Sequence, residues 1–307
     1  NWSSQLLSLS ERVFFHQKRK KGYDQEEVIQ MKWLNLDGQK VSQIGMGTWG
    51  LGESPEKRPQ ELEALRYGLK HGCNVIDTAE MYGEGQSESL VGDAIKDFPR
   101  RKLFLISKFY PWHATPDQER KSLKASLSRL GTDYLDLYLL HWRSTTPLKQ
   151  TLSGLEKLRQ EGLIRHWGVS NFDVSDLEEA EAYAPVQANE VLYNLRQRGI
   201  EYDLIPHQQQ KEEWLFAYSP FNSGQGDSIP VTANLKQIAD AHQVTVHQVM
   251  LSWTLRQKTV ISLPKASTTA HMKENLSAAD LILSPEELQL LDQDFQPPKH
   301  KQPLAVI

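Results

Sequence analysis

The stretch Asn74-Val75-Ile76-Asp77-Thr78-Ala79-Glu80-Met81-Tyr82-Gly83 decides how this chain folds. It reads as a short buried strand that ends in a carboxylate, followed by a turn that carries a tyrosine. Burying a carboxylate is costly unless it is paired, so Asp77 needs a partner from another strand. Two further strand-like runs stop on a titratable residue: Leu103-Phe104-Leu105-Ile106-Ser107 runs into Lys108, and Leu135-Asp136-Leu137-Tyr138-Leu139-Leu140 runs into His141. Successive endings lie about thirty residues apart, which is one strand, one helix and two loops of a βαβ unit.

Outward from this stretch the alternation continues. Residues 31–36 and 39–42, joined by Asp37-Gly38, read as a hairpin, since Asp-Gly suits a type I′ turn. Strands are expected to start near 44, 74, 103, 135, 164, 186, 213 and 260, with helical patterns between them and further helices over 268–279 and 284–294. Regular strand–helix alternation argues for a parallel sheet. Eight units at this length match a closed (β/α)8 TIM barrel. The fold class is therefore α/β: a single barrel over residues 31–307, with an N-terminal β-hairpin under its floor and extra C-terminal helices. A doubly wound open sheet is the competing architecture. Residues 1–30 read as an N-terminal extension outside the barrel. They hold the basic run Lys18-Arg19-Lys20-Lys21 and acids at Asp24, Glu26 and Glu27, with no apolar signal region. A basic arm that touches a partner is the other reading of this segment.

Composition narrows the function classes. A formal net charge of −4 argues against a nucleic-acid surface. One cysteine, Cys73, excludes an intramolecular disulfide and points to a reducing compartment, hence a cytoplasmic protein. No run approaches the ~18 apolar residues of a membrane span. No nucleic-acid or membrane partner is expected, and the chain is expected to be a monomer or weak homo-oligomer.

Gly45-Met46-Gly47-Thr48-Trp49-Gly50 satisfies G-x-G-x-x-G, but a Rossmann turn needs a helix to begin within the motif. Gly52, Pro55 and Pro59 postpone any helix to about Arg58, so these glycines are expected to let backbone approach a ligand beneath the barrel mouth. In a barrel, residues at strand C-termini converge on one face, which would gather Asp77, Tyr82, Lys108 and His141. An ammonium beside a phenol favours phenolate and should lower the tyrosine pKa. Tyr82 would then act as general acid toward a carbonyl oxygen that His141 orients. Acid catalysis on a carbonyl still requires an electron source, so a hydride-donating cofactor is implied. Trp49, Trp112 and Trp142, just past strand ends, could wall the substrate pocket with Tyr82 and His141, or could pack between loop and barrel. No metal-ligand histidine pair is apparent, so no metal is expected. Short rims, namely the tail after Asp294 and the loop carrying Gly224 and Gly226, suggest an open pocket.

From about Trp33 to Asp294 the chain resembles the aldo-keto reductase family. The resemblance rests on Asp77-Thr-Ala-Glu-Met-Tyr82-Gly, Ser107-Lys108, Leu139-Leu140-His141-Trp142, Gly168-Val-Ser170-Asn171-Phe172, Ala217-Tyr218-Ser219-Pro220, and Leu263-Pro-Lys265 through Glu274-Asn275-Leu276. It implies the catalytic tetrad Asp77, Tyr82, Lys108 and His141. It implies that Ser170, Asn171 and Gln187 hold the nicotinamide carboxamide and that Tyr218 stacks on the ring, with Gly47, Thr48, Trp49, Asp77, Ser219 and Pro220 also beside the cofactor. Lys265, Ser267, Thr268, His271, Glu274 and Asn275 fall where the adenosine end is held. His271 replaces an arginine usual in members that favour NADP, while Lys265 still offers a cation to a 2′-phosphate. NADP(H) is therefore preferred, with NAD(H) possible. The resemblance is closest to bacterial members that reduce small aldehydes such as methylglyoxal. A second implied reading is a cofactor-binding regulatory subunit of a membrane channel, with little turnover.

Overall fold

The computed structural model describes residues 31–221 and 228–307. The reading of residues 1–30, and the loop glycines Gly224 and Gly226, lie outside them. The hairpin forms as β1 (Trp33–Leu36) and β2 (Gln39–Ser42), with Asp37 and Gly38 both at positive φ, as the tight turn demands. Eight parallel strands follow in chain order around one sheet. They are β3 (Met46–Gly47), β4 (Val75–Asp77), β5 (Phe104–Phe109), β6 (Leu135–Leu140), β7 (Ile164–Ser170), β8 (Ala188–Leu192), β9 (Trp214–Tyr218) and β10 (Val260–Leu263).

Contacts between the first and last barrel strands close the sheet. Gly45 N donates to the Ser262 carbonyl at 2.7 Å and Gly47 N to the Pro264 carbonyl at 3.1 Å, and parallel bridges join Ile44 to Ser262 and Gly47 to Lys265. A Cβ on Gly47 would lie 2.8 Å from the Leu263 carbonyl oxygen, so only glycine permits this approach. The glycines of the misleading G-x-G-x-x-G motif thus serve barrel closure first, and Gly47 only secondarily faces the mouth.

Side chains alternate along each strand, and this divides the core in two. Val75, Phe104, Ile106, Leu137, Leu139, Ala188, Phe216, Ile261 and Leu263 point inward and form one cluster, which Leu36 and Val41 of the hairpin seal from below. The opposite parity, for example Ile76, Leu105, Tyr138 and Leu140, packs outward against the helices. Those helices are α1 (Arg58–Lys70), α2 (Gln86–Ile95), α3 (Pro116–Leu130), α4 (Leu148–Gln160), α5 (Val174–Glu181), α6 (Leu204–Lys211), α7 (Ala233–His242), α8 (Val246–Leu255), α9 (Thr269–Ser277) and α10 (Pro285–Asp294). Their starts follow local capping chemistry: Asp173, Thr245 and Ser284 each close a capping box. Ahead of α6 the chain makes a 3-10 turn at Gly199–Glu201. Among the described residues no helix is long and apolar enough to cross a membrane.

One buried acid lies far from any strand end. Glu119 on α3 is fully buried, neither carboxyl oxygen has a hydrogen-bond partner, and burial pushes its pKa up to about 9. Gly154 on α4 makes room for it, since a Cβ there would sit 2.0 Å from Glu119 Oε2. Between the ordinary carboxylate value and about 9, the folded protein keeps a proton that the unfolded chain has released. Folding therefore takes up a proton, and stability falls as pH rises through that window, by about 1.4 kcal/mol per pH unit at the limit. Glu119→Gln is expected to melt close to wild type at pH 5 and several degrees higher at pH 8. Thermal unfolding at the two values checks this; equal differences at both would refute it.

Candidate active site

The inward parity that carries the apolar layer continues upward by one more position on six of the eight strands. That position is Asp77 after Val75, Lys108 after Ile106, His141 after Leu139, Glu190 after Ala188, Tyr218 after Phe216 and Lys265 after Leu263. Polar side chains at the top of an apolar interior therefore follow directly from the strand period.

Lys108 is the hub. Fully buried, its ammonium contacts Asp77 Oδ1 and lies 3.2 Å from Glu190 Oε1, 3.2 Å from the Tyr82 hydroxyl and 3.2 Å from the Thr78 carbonyl. Burial alone would depress its pKa; the Asp77 and Glu190 carboxyl groups outweigh burial and hold it well above the ordinary lysine value. Lys108 is charged. Two carboxyl groups share this one cation, so one of them keeps a proton near neutrality. Burial and then the neighbouring Asp77 push Glu190 up to about 8. Burial raises Asp77 as well, against the pull of Lys108.

The structure reverses one expectation. The phenol of Tyr82 is raised above its ordinary value, not lowered. Burial is the largest cause, and the Lys108 ammonium that should acidify the phenol is already answered by the negative potential of Asp77 and Glu190. Tyr82 is a neutral phenol that holds its proton. His141 is shifted well below the ordinary histidine value by burial and then by Lys108, so its imidazole is neutral, and its Nδ1 is buried without a partner. The His141 and Tyr82 rings meet edge-on at 5.8 Å.

Asp77, Tyr82, His141, Glu190, Tyr218 and Lys265 border a cavity of about 200 Å³ lined also by Gly47, Thr48, Trp49, Trp142, Ser170, Asn171, Ser219 and Pro220. Asn171 adopts φ 59°, a left-handed conformation that Asn tolerates better than most residues. There its Nδ2 donates to the His141 carbonyl at 3.1 Å, and its Oδ1 accepts from the Tyr218 hydroxyl at 2.8 Å. Ser170 Oγ donates to the Glu190 carbonyl at 2.8 Å. Beyond the cavity, Thr268 caps α9 by accepting from His271 N, Asn275 Nδ2 reaches the Lys265 carbonyl at 3.5 Å, and the Ser267 carbonyl accepts from Gln60. Thr245 Oγ1 donates to Glu274. Ser267 and Thr268 thus precede α9, His271 lies in its first turn and Glu274 and Asn275 further along it, and of these residues and Lys265 only Lys265 lines the cavity.

Two expected site residues are elsewhere. Gln187 precedes β8, and its side chain is engaged by the Pro185 carbonyl at 2.6 Å and the Trp167 amide at 3.4 Å. The strand expected over 186–190 runs over 188–192, and its inward parity is that of Ala188. Glu190, paired in register with Ser170, fills the position expected for Gln187. Trp112 stands 59% exposed, stacked on Tyr110 at 4.3 Å and touching the rim only through Trp142. The sequence reading missed Glu190, Met81, Phe221, Leu263 and Ile307, all of which line the cavity. Only Glu190 carried a readable signal, a carboxylate within a strand-like run, which needs a partner if buried. Ile307 arrives because the tail folds back, tied by Lys301, which pairs with Asp173 and Asp203; the rim is less open than its length suggests. Away from the cavity, Glu181, His207 and Glu213 bring potential metal-ligand atoms within 4.8 Å of one another, a grouping the sequence did not reveal. Lys211 Nζ already rests 2.6 Å from Glu181 there.

Residues 43–294 match the model of the aldo/keto reductase family. The chain belongs to that family. It is accordingly an NAD(P)H-dependent oxidoreductase built on the family's (β/α)8 barrel. It is 41% identical over 285 residues to methylglyoxal reductase YeaE of Escherichia coli (strain K12), covering 91% of this chain and all of that protein. Among solved structures, an aldo-keto reductase from Klebsiella pneumoniae in complex with NADPH superposes with a TM-score of 0.87 at 43% identity, covering 90% of this chain and 99% of that one. A second Escherichia coli relative, the NADH-specific methylglyoxal reductase, is 28% identical over 82% of this chain and 94% of its own length.

Proposed function

We propose that this aldo/keto reductase uses NADP(H) to reduce short aldehydes, methylglyoxal among them, with Tyr82 as the proton donor. The observation that carries the reading is the Tyr82 hydroxyl, 3.2 Å from the Lys108 ammonium and open to the cavity. The site fits a nicotinamide: Glu190 Oε2 and His141 Nδ1 are buried polar atoms without partners on its wall, and buried polar atoms call for a hydrogen-bonding ligand. Asn171, Ser170 and Glu190 would hold the carboxamide, Tyr218 would face the ring, and the residues from Lys265 to Asn275 would take the adenosine end. The NADPH complex of the Klebsiella relative supports the phosphorylated cofactor, as does the exposed ammonium of Lys265.

When bound, the reduced nicotinamide supplies the hydride. The chain's own residues do the rest. Because Tyr82 keeps its proton in the resting site, it has one to give to the carbonyl oxygen as negative charge grows there. Lys108, kept charged by its two carboxyl partners, then steadies the phenolate left behind. Neutral His141 can donate one N–H to the same oxygen without competing as an acid. Met81, Trp49, Phe221 and Ile307 leave a small apolar chamber suited to a short chain.

Steady-state oxidation of NADPH with a panel of carbonyls tests the assignment. Short 2-oxoaldehydes are expected to show the highest kcat/KM, and NADPH to outperform NADH. A panel in which every aromatic ketone ranked above methylglyoxal would remove the substrate. Tight NADPH binding without turnover would favour the regulatory-subunit reading.

A further inference from the structure

Glu190 can do more at the mouth than help hold the carboxamide and keep Lys108 charged. The residue is 1% exposed, yet it lines the cavity. Oε1 lies 3.2 Å from the Lys108 ammonium, the carboxyl hydrogen-bonds to that of Asp77, and Oε2 is buried with no other partner. With one ammonium and two carboxyl groups, the cluster is neutral when a single proton is shared and carries one negative charge when it is lost. A buried net charge is expensive, so the occupant of the cavity decides which state prevails.

We propose that Glu190 makes binding of the oxidised, positively charged cofactor ring proton-linked, so that the site distinguishes the two redox states of its cofactor by charge. This inference rests on the placement of the nicotinamide proposed above. A neutral reduced ring leaves the charge count of the cluster as it was and favours the protonated carboxyl. A pyridinium ring adds a positive charge beside Glu190, and an opposite charge favours the ionised form. Binding the oxidised cofactor below about pH 8 therefore expels the proton held between Glu190 and Asp77. Binding the reduced cofactor does not.

The groups facing Glu190 are Asp77 from β4, Tyr82 from the turn after it, Lys108 from β5, His141 after β6 and Tyr218 from β9. Tyr82, Tyr218 and Lys108 are held above their ordinary values, and His141 is held well below its own, so none of the four competes for a proton between pH 6 and about 8. Asp77 shares the same proton and belongs to the same event.

Kd for NADP+ and for NADPH can be followed by tryptophan fluorescence from pH 6 to 9, with calorimetry in two buffers of different ionisation enthalpy to count protons. In the wild-type protein, affinity for NADP+ is expected to rise by about tenfold per pH unit up to near pH 8, with up to one proton released, while NADPH shows no such slope. Both cofactors carry the same 2′-phosphate, so its ionisation cancels in their ratio. In Glu190→Gln the difference between the two slopes should vanish, whatever the change in absolute affinity. Parallel slopes in the wild type, or a difference that survives in Glu190→Gln, would overturn this inference and leave the proposed function standing. Failure to bind either cofactor would overturn both. The wild-type proton count decides the matter even if the variant does not fold.

Discussion

In Tyr82→Phe, turnover of NADPH with a short aldehyde is expected to fall by about 10²–10⁴-fold, the range that a positioned general acid contributes. The substitution removes one oxygen and leaves the ring's packing in place. Lys108 keeps Asp77, Glu190 and the Thr78 carbonyl, so the fold and the cofactor site should persist. The loss should therefore appear in kcat, with the Kd for NADPH little changed. Because the phenol is held above its ordinary value, the activity of wild type should not fall on the alkaline side through ionisation of Tyr82 in the free protein. A Tyr82→Phe protein that turned over within about twofold of wild type would show that the proton comes from elsewhere.

Lys108→Met is expected to do two kinds of damage. Activity should disappear, since nothing would then steady a phenolate. Stability should also drop, because two buried carboxyl groups lose their shared cation. Breaking a buried ion pair by deleting one partner costs about 3–5 kcal/mol, which corresponds to roughly 5–8 °C in a chain of this size. The sign with pH follows from the direction of the shifts. Without the ammonium both Asp77 and Glu190 favour the protonated form, so the folded variant binds more protons than its unfolded chain. Its stability should fall from pH 5 to 8 more steeply than that of wild type. Adding Asp77→Asn should recover part of the lost stability and none of the activity. A Lys108→Met protein that melts within about one degree of wild type would show that the cluster contributes little to folding.

Much of this was legible in the residues. The number and order of strands and helices and the gathering of Asp77, Lys108 and His141 at strand ends depend on patterns that repeat within a few residues. The family resemblance added the expected cofactor and the neighbours Ser170, Asn171 and Tyr218, which the fold does bring to the same cavity.

Gln187 shows where local reading stops. With Ala188 facing the interior, strand alternation turns Gln187 away and Glu190 inward, whatever the strand's bounds. Parity is decided by which face of the strand meets the interior cluster, and nothing in five residues announces that. The tyrosine shows the same limit for electrostatics. Its nearest charge is the one the sequence suggested, but the balance among burial, Lys108, Asp77 and Glu190 involves four segments far apart in the chain. Closure of the barrel through Gly47 and Leu263, and the return of Ile307 to the mouth, likewise join residues far apart in sequence. The sequence by itself determined the elements and which chemical groups stand at their ends, because helix caps and strand alternation are short-range. The tertiary structure alone decided which of those groups face one another and what charge they carry, because burial and Coulomb energies depend on distances that only the closed barrel sets.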